Sequence, residues 1–128
     1  DYHSKQNIDK MSSGIPLNDD DRYDWLMKIK NEILKRGKTQ NLVVTCSALK
    51  KKYRSILGVQ DYTLVYLKIS KKTAQKRIKS RQGHFMPDSL VDSQFAILEE
   101  PQNSIILDES LKVDEMVQKL ISIFRTTN

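Results

Sequence analysis

Cysteine is almost missing from this chain. Cys46 stands alone and cannot close an intramolecular disulfide, and its place in an apolar run predicts a small buried side chain. No apolar stretch approaches the ~18 residues of a membrane span, and no basic segment followed by an apolar one opens the chain, so the sequence reads as soluble and untargeted, with the cytoplasm as default. Internal repeats and low-complexity linkers are lacking too. No histidine or cysteine spacing suits a metal ion. Nothing resembling a helix-turn-helix, zinc finger or ribonucleoprotein aromatic motif accompanies the basic run Lys50 to Lys52, which counts against a nucleic-acid-binding module.

What remains is one small domain's worth of chain: 128 residues, 38% of them hydrophobic, with a formal net charge of +6. That excess favours an anionic partner but does not choose among phosphates, carboxylates, nucleic acid and acidic lipid. Two helices are written plainly. Asn18 suits an N-cap, and Asp19, Asp20 and Asp21 follow in the turn where acids complement the helix dipole. Trp25, Leu26, Ile29, Ile33 and Leu34 recur at helical spacing until Lys35, Arg36 and Gly37 supply a stop. Val113, Met116, Val117, Leu120, Ile121 and Phe124 form the stripe of a second, core-facing helix.

Short β-branched runs lie between them. Leu42 to Cys46, Leu64 to Ile69 and Ser104 to Leu107 read as buried strands, followed by helix-prone sequence at Leu49 to Leu57, Thr73 to Arg81 and the C-terminal stripe. Alternation of this kind predicts an α/β domain with a parallel sheet. Residues 82–102 break the rhythm with two of the three prolines and a short helical pattern, Leu90, Val91, Phe95 and Leu98. An excursion of that length suits a lid or binding loop, or a simple surface insertion.

In open α/β sheets ligands bind beyond the carboxyl ends of the strands. After the first run, Ser47 is placed to cap a helix, and Lys50 and Arg54 fall four apart on one face, a spacing that allows an anion clamp as well as an ordinary solvated basic helix. After the second, Arg77 and Arg81 repeat the spacing, and their planar forks suit phosphate oxygens. His84 sits beside Phe85 and Met86, a setting that favours packing over catalysis. Two look-alikes fail. Gly37-Lys38-Thr39 mimics the end of a phosphate loop, but the glycine position five residues earlier is Glu32, and the tripeptide ends a helix where it should begin one. Ile105-Ile106-Leu107-Asp108 has the outline of a strand ending in a magnesium-binding acid, a common pattern.

Taken in order, several segments resemble the gluconokinase family. They are Asn7-Ile8-Asp9-Lys10-Met11, Gly14 to Arg22, Trp25-Leu26, Cys46-Ser47-Ala48-Leu49-Lys50-Lys51, Tyr53-Arg54, Tyr66-Leu67, Gly83-His84-Phe85-Met86, Ser93-Gln94-Phe95 and Leu98-Glu99-Glu100-Pro101. The resemblance implies a P-loop, nucleoside-kinase-like α/β fold in a single domain over 1–128. A substrate-binding segment would occupy about 1–36, core strands and helices about 41–81 and 104–126, and a lid about 82–102. It implies transfer of the ATP γ-phosphate to gluconate, with magnesium accompanying the ATP and no metal ligand assigned within the chain. Lys10, Arg22, Ser47, Lys50 and Arg54 would surround the sugar acid, Arg77 and Arg81 would face ATP, and His84 and Gln94 would meet substrate as the lid closes. Phosphoryl transfer depends on positioning and charge neutralisation, so such a basic site fits the reaction.

The sequence departs from the family pattern in places. Ser4 follows His3 where a proline is usual, and Asp24 replaces the proline before Trp25. The family's first strand, phosphate loop, first helix and the acid that activates the substrate hydroxyl would all fall at or before Asp1. The expectation is therefore a truncated kinase domain, marginally stable alone and doubtful in its own activity, with a sheet face left uncovered. A non-catalytic remnant that pairs with a full-length kinase is the alternative, and a homo-oligomer is compatible with either. A sister kinase for another hydroxy acid such as shikimate is a closer chemical rival, which the ordered motifs disfavour.

Overall fold

The computed structural model describes residues 2–81, 87 and 89–126. The chain forms α1 (Lys5–Ser12), α2 (Asp19–Arg36), α3 (Lys51–Leu57), a 3-10 turn (Val59–Asp61), β1 (Val65–Lys68), α4 (Lys71–Ser80), α5 (Ser89–Ile97), β2 (Ile105–Asp108) and α6 (Val113–Thr126). β1 and β2 run parallel, with Val65 opposite Ile105 and Lys68 opposite Asp108. Helices connect and flank them, so the α/β class with a parallel sheet holds.

Local chemistry sets the helix ends. Asn18 Oδ1 accepts from the Asp21 amide at 2.7 Å while Asp21 Oδ2 accepts from the Asn18 amide at 3.0 Å, a reciprocal cap that starts α2. Gly37 ends it: its amide donates to Ile33 O, and a Cβ at that position would lie 2.7 Å from the same oxygen. The glycine-lysine-threonine look-alike is thus a helix terminus. α1, for which no periodic stripe gives warning, starts where Ser4 Oγ accepts from the Asn7 amide. Ser70 caps α4 in the same way through Thr73, and α4 packs on α5, with Lys71 and Asp92 paired at 2.5 Å.

The main core joins α2 to α3: Trp25, Leu26 and Ile29 close on Tyr53 and Leu57. A smaller cluster of Met11, Leu17 and Leu90 draws α1 and α5 together. The helices predicted at 19–36, 49–57, 73–81 and 113–124 and the strands predicted at 64–69 and 104–107 appear within a few residues of their expected bounds.

Three expectations are corrected. Residues 42–46 form no strand: the segment is not part of the sheet of β1 and β2, and Val43 is 94% exposed. A β-branched run becomes a strand only where a neighbour offers a ladder, and among the described residues none does. Cys46 is consequently exposed instead of buried. The stripe of α6 forms as a helix but is only partly covered, with Met116 and Leu120 half-buried and Val113 (73% exposed), Val117, Ile121 and Phe124 open, because a two-stranded sheet of four-residue strands offers little area to cover it. No helix among the described residues is long and apolar enough to cross a membrane.

Stability should therefore concentrate in the α2–α3 core. Leu26 is 1% exposed, and Leu26→Ala is expected to lower the free energy of unfolding in urea by roughly 2–5 kcal/mol. Val43→Ser, in the open segment, should change it by less than about 0.5 kcal/mol.

Candidate functional site

The first turn of α2 gathers cations from two other parts of the chain. Lys10, near the end of α1, places Nζ 2.7 Å from Asp21 Oδ2. Lys50, at the N-cap position of α3, places Nζ 3.0 Å from Asp19 Oδ1. Lys52 Nζ pairs with Asp19 Oδ2, and the Tyr53 hydroxyl donates to Asp19 Oδ1. Arg22, buried one turn along α2, donates from Nη1 to Tyr53 Oη at 3.0 Å and lies over the ring, 5.5 Å from its centroid. The buried Asn7 ties α1 to the same turn, its side-chain amide donating to Asp21 O at 2.7 Å. Lys10, Lys50 and Lys52 thus meet two carboxylates, with Arg22 beside them and Asp20 on the same turn, a cluster of four cations and three acids where the α2 amides also point. The arrangement can attract and orient a small anion with hydroxyl groups.

Its ionisation follows from these contacts. Lys52, then Tyr53 and Lys50, hydrogen-bond the Asp19 carboxylate and hold its pKa far below the usual range. Lys10 and the Asn18 amide lower that of Asp21, and Asp19 raises that of Lys50. The Asp19 and Asp21 carboxylates and the Lys50 ammonium are therefore charged at neutral pH. His3 stacks on Trp25 with ring centroids 4.5 Å apart, and burial, followed by the nearby Arg22 charge, depresses its pKa.

Of the residues singled out from the sequence, Lys10, Arg22 and Lys50 come together here. Arg54 does not point with Lys50, although four positions separate them. Its guanidinium is buried and donates to Ala48 O, Leu49 O and Glu99 O at 2.8–3.1 Å, so the one-face clamp is corrected: Lys50 reaches α2 and Arg54 the end of α5. Ser47 does not cap α3. It is exposed, and its carbonyl accepts from the Leu49 amide. Arg77 and Arg81 are exposed at the last turn and C-cap of α4. Gln94 is half-buried on α5, and His84 lies outside the described residues.

Sequence reasoning missed Asp19, Tyr53 and Glu99 as parts of the site. The first-turn acids had been assigned to the helix dipole alone, and Tyr53 carried no more signal than its adjacency to Arg54. An open groove beside Lys50 is bounded by Lys52, Ser55, Ile97 and Glu99. The described residues include no group of three or more His, Cys, Asp or Glu side chains able to hold a metal ion. Asp108, at the end of β2, accepts from the Ser110 amide at 2.9 Å.

Known proteins share this arrangement of elements. No protein-family model matches the chain. It is 44% identical over 108 residues to a probable gluconokinase of Saccharomyces cerevisiae, covering 79% of this chain and 56% of that protein. It is 34% identical over 130 residues to the thermoresistant gluconokinase of Escherichia coli K12, covering 96% of this chain and 74% of that one. The crystal structure of a gluconokinase from Sinorhizobium meliloti superposes with a TM-score of 0.77 at 37% identity, over 94% of this chain and 71% of that one. The chain therefore spans between about half and three quarters of these relatives' lengths.

The pKa directions predict two acid-sensitive steps. His3 has a folded pKa below its unfolded one, so the unfolded state binds the proton first, and stability should fall as pH drops below about 6.5. Asp19 and Asp21 are depressed carboxylates, whose contribution is complete above about 4 and is lost as pH falls further. Thermal melts across pH should show both steps. His3→Gln should remove much of the first and Asp19→Asn part of the second.

Proposed function

The chain belongs to the gluconokinase family, and from that premise we propose that it carries the gluconate-binding part of a phosphotransferase converting ATP and D-gluconate to ADP and 6-phospho-D-gluconate. One observation carries the reading: Lys10, Arg22, Lys50 and Lys52 converge on the first turn of α2, four cations against the three acids of that turn. A sugar acid offers that site a carboxylate for the ammonium groups and hydroxyls for the Asp19 and Asp21 carboxylates. Charge-assisted hydrogen bonds of both kinds are stronger than neutral ones. Lys50 and Lys52 share Asp19, so a second carboxylate can be accepted without leaving either lysine unpaired.

The exposed guanidinium groups of Arg77 and Arg81 fit the charge of ATP phosphates, and ATP supplies the phosphoryl group when bound. Magnesium would accompany the ATP phosphates, with no cluster of ligands for it among the described residues. The segment 1–36 then serves as the sugar-acid face. Residues 82–102, with Gln94 and His84, serve as a cover that excludes water. Arg54 serves the site from behind, through the backbone that carries Lys50.

The open apolar stripe of α6 favours a second reading, in which the chain acts by pairing with another kinase subunit. Light scattering separates the two, since a well-folded monomer removes the motive for pairing.

Titration calorimetry with gluconate tests the primary reading. Binding is expected, and Lys50→Ala should weaken it about tenfold or more, in line with losing one charge-assisted contact. Lys28→Ala, on an exposed part of α2, should not. Absence of binding heat in a folded chain would overturn the assignment. A coupled assay for gluconate-dependent ADP release then reports whether these residues alone support turnover.

A further inference from the structure

α3 begins without help from its own side chains. Lys50 occupies the N-cap position in extended backbone, and no side chain there accepts a hydrogen bond from the first turn. The acceptor comes from much later in the chain. Glu99 Oε1 accepts from the Lys51 amide at 2.9 Å. The Glu99 amide donates to Leu49 O at 2.8 Å, and Glu99 O accepts from Arg54 Nη2 at 2.8 Å. Arg54 Nη1 completes the set on Ala48 O and Leu49 O. The carbonyl before Lys50 and the amide after it are therefore both bonded to Glu99, while the Lys50 side chain reaches Asp19.

Glu99 also borders the groove beside Lys50, where its negative charge opposes an incoming anion. A carboxylate in that position is unfavourable for charge and favourable for geometry. A side chain that merely filled space would need neither acceptor, whereas this one supplies the cap that α3 lacks.

We propose that Glu99 is a positioning residue for the anion-binding Lys50, fixing the backbone on both sides of that lysine and tying its placement to the end of α5. The proposal rests on the reading of Lys50 as a ligand for the sugar acid's carboxylate, and it adds a residue that acts without touching the substrate. Its mark is a reversal of the electrostatic expectation. Removing the charge while keeping the acceptor should be harmless, and removing the acceptor should be harmful although it relieves repulsion.

The test uses the 128-residue chain with two readouts, gluconate affinity by calorimetry and the Asp19 carboxyl titration by NMR. Glu99→Ala is expected to weaken gluconate binding roughly three- to tenfold and to raise the Asp19 midpoint by as much as Lys50→Ala raises it, with Lys52 and Tyr53 still holding it low. Glu99→Asp keeps the charge but falls short of the Lys51 amide, and should follow Glu99→Ala. Glu99→Gln should stay within about twofold of the parent affinity or exceed it, with the Asp19 midpoint unchanged. The main-chain bonds at Glu99 remain in every variant, so the segment stays attached, and circular dichroism checks the fold. Parent-like affinity and titration in folded Glu99→Ala and Glu99→Asp would overturn the proposal. Loss of the fold in both would do so too, by assigning Glu99 to stability. If the parent chain gives no gluconate heat, the ligand reading falls, and the Asp19 titration decides the positioning by itself.

Discussion

The carboxylate of Asp19 joins α2 to α3, and most of what distinguishes this surface depends on it. Lys50, Lys52 and Tyr53 converge on its two oxygens, and Tyr53 in turn receives Arg22. Without that carboxylate, three cations would crowd the end of a helix whose own dipole is positive there. With it, the lysines are ordered and the excess charge is held at one place. Below the polar layer, the same two helices close the hydrophobic core through Trp25, Leu26, Tyr53 and Leu57. Tyr53 belongs to both layers, its ring in the core and its hydroxyl on Asp19, so the packing of α3 fixes where the charged groups stand.

Two arginines are buried, and the difference between them separates binding from support. Buried guanidinium groups persist only when their donors find acceptors. Arg22 finds a phenol and an aromatic face, and its charge acts on the site through space, helping Lys10 to lower the pKa of Asp21. Arg54 spends its fork on three backbone carbonyls, an arrangement that fixes the 48–50 loop and leaves little for a ligand. The family resemblance gave both arginines the same role. Their acceptors make them different.

The fold was legible where short-range chemistry determines it. The Asn18 cap, the acidic first turn, the Gly37 stop and the alternation of the two later β-branched runs with helices each act within a few residues, and each appears as read. What failed needed a partner. Val43, Val44 and the α6 stripe have the composition of buried elements, but composition records a capacity for burial and names no neighbour to provide it. The site was legible in the same measure. Lys10 and Arg22 were indicated by the family resemblance alone and Lys50 also by its place after an apolar run, while Asp19 looked like a dipole acid and Glu99 like part of a motif. The contacts that give those two their roles join positions that are 31 and 48 residues apart.

The place of the site in the fold follows from this long-range wiring. Among the described residues one buried cluster lies between α2 and α3 and another joins Met11, Leu17 and Leu90. The first turn of α2 lies between them in sequence, and Lys10 and Asn7 of α1 cross to it through polar contacts. Polar contacts of exposed or half-exposed groups stabilise less than apolar packing and can exchange for ligand contacts at small cost. A seam built this way is a natural place for a ligand, because the groups that must rearrange are not those that hold the cores together. Glu99 then has a particular importance: by bonding both sides of Lys50 it stiffens one wall of a seam that is otherwise free to adjust, so the lysine can meet its anion without the loop having to be ordered at that moment.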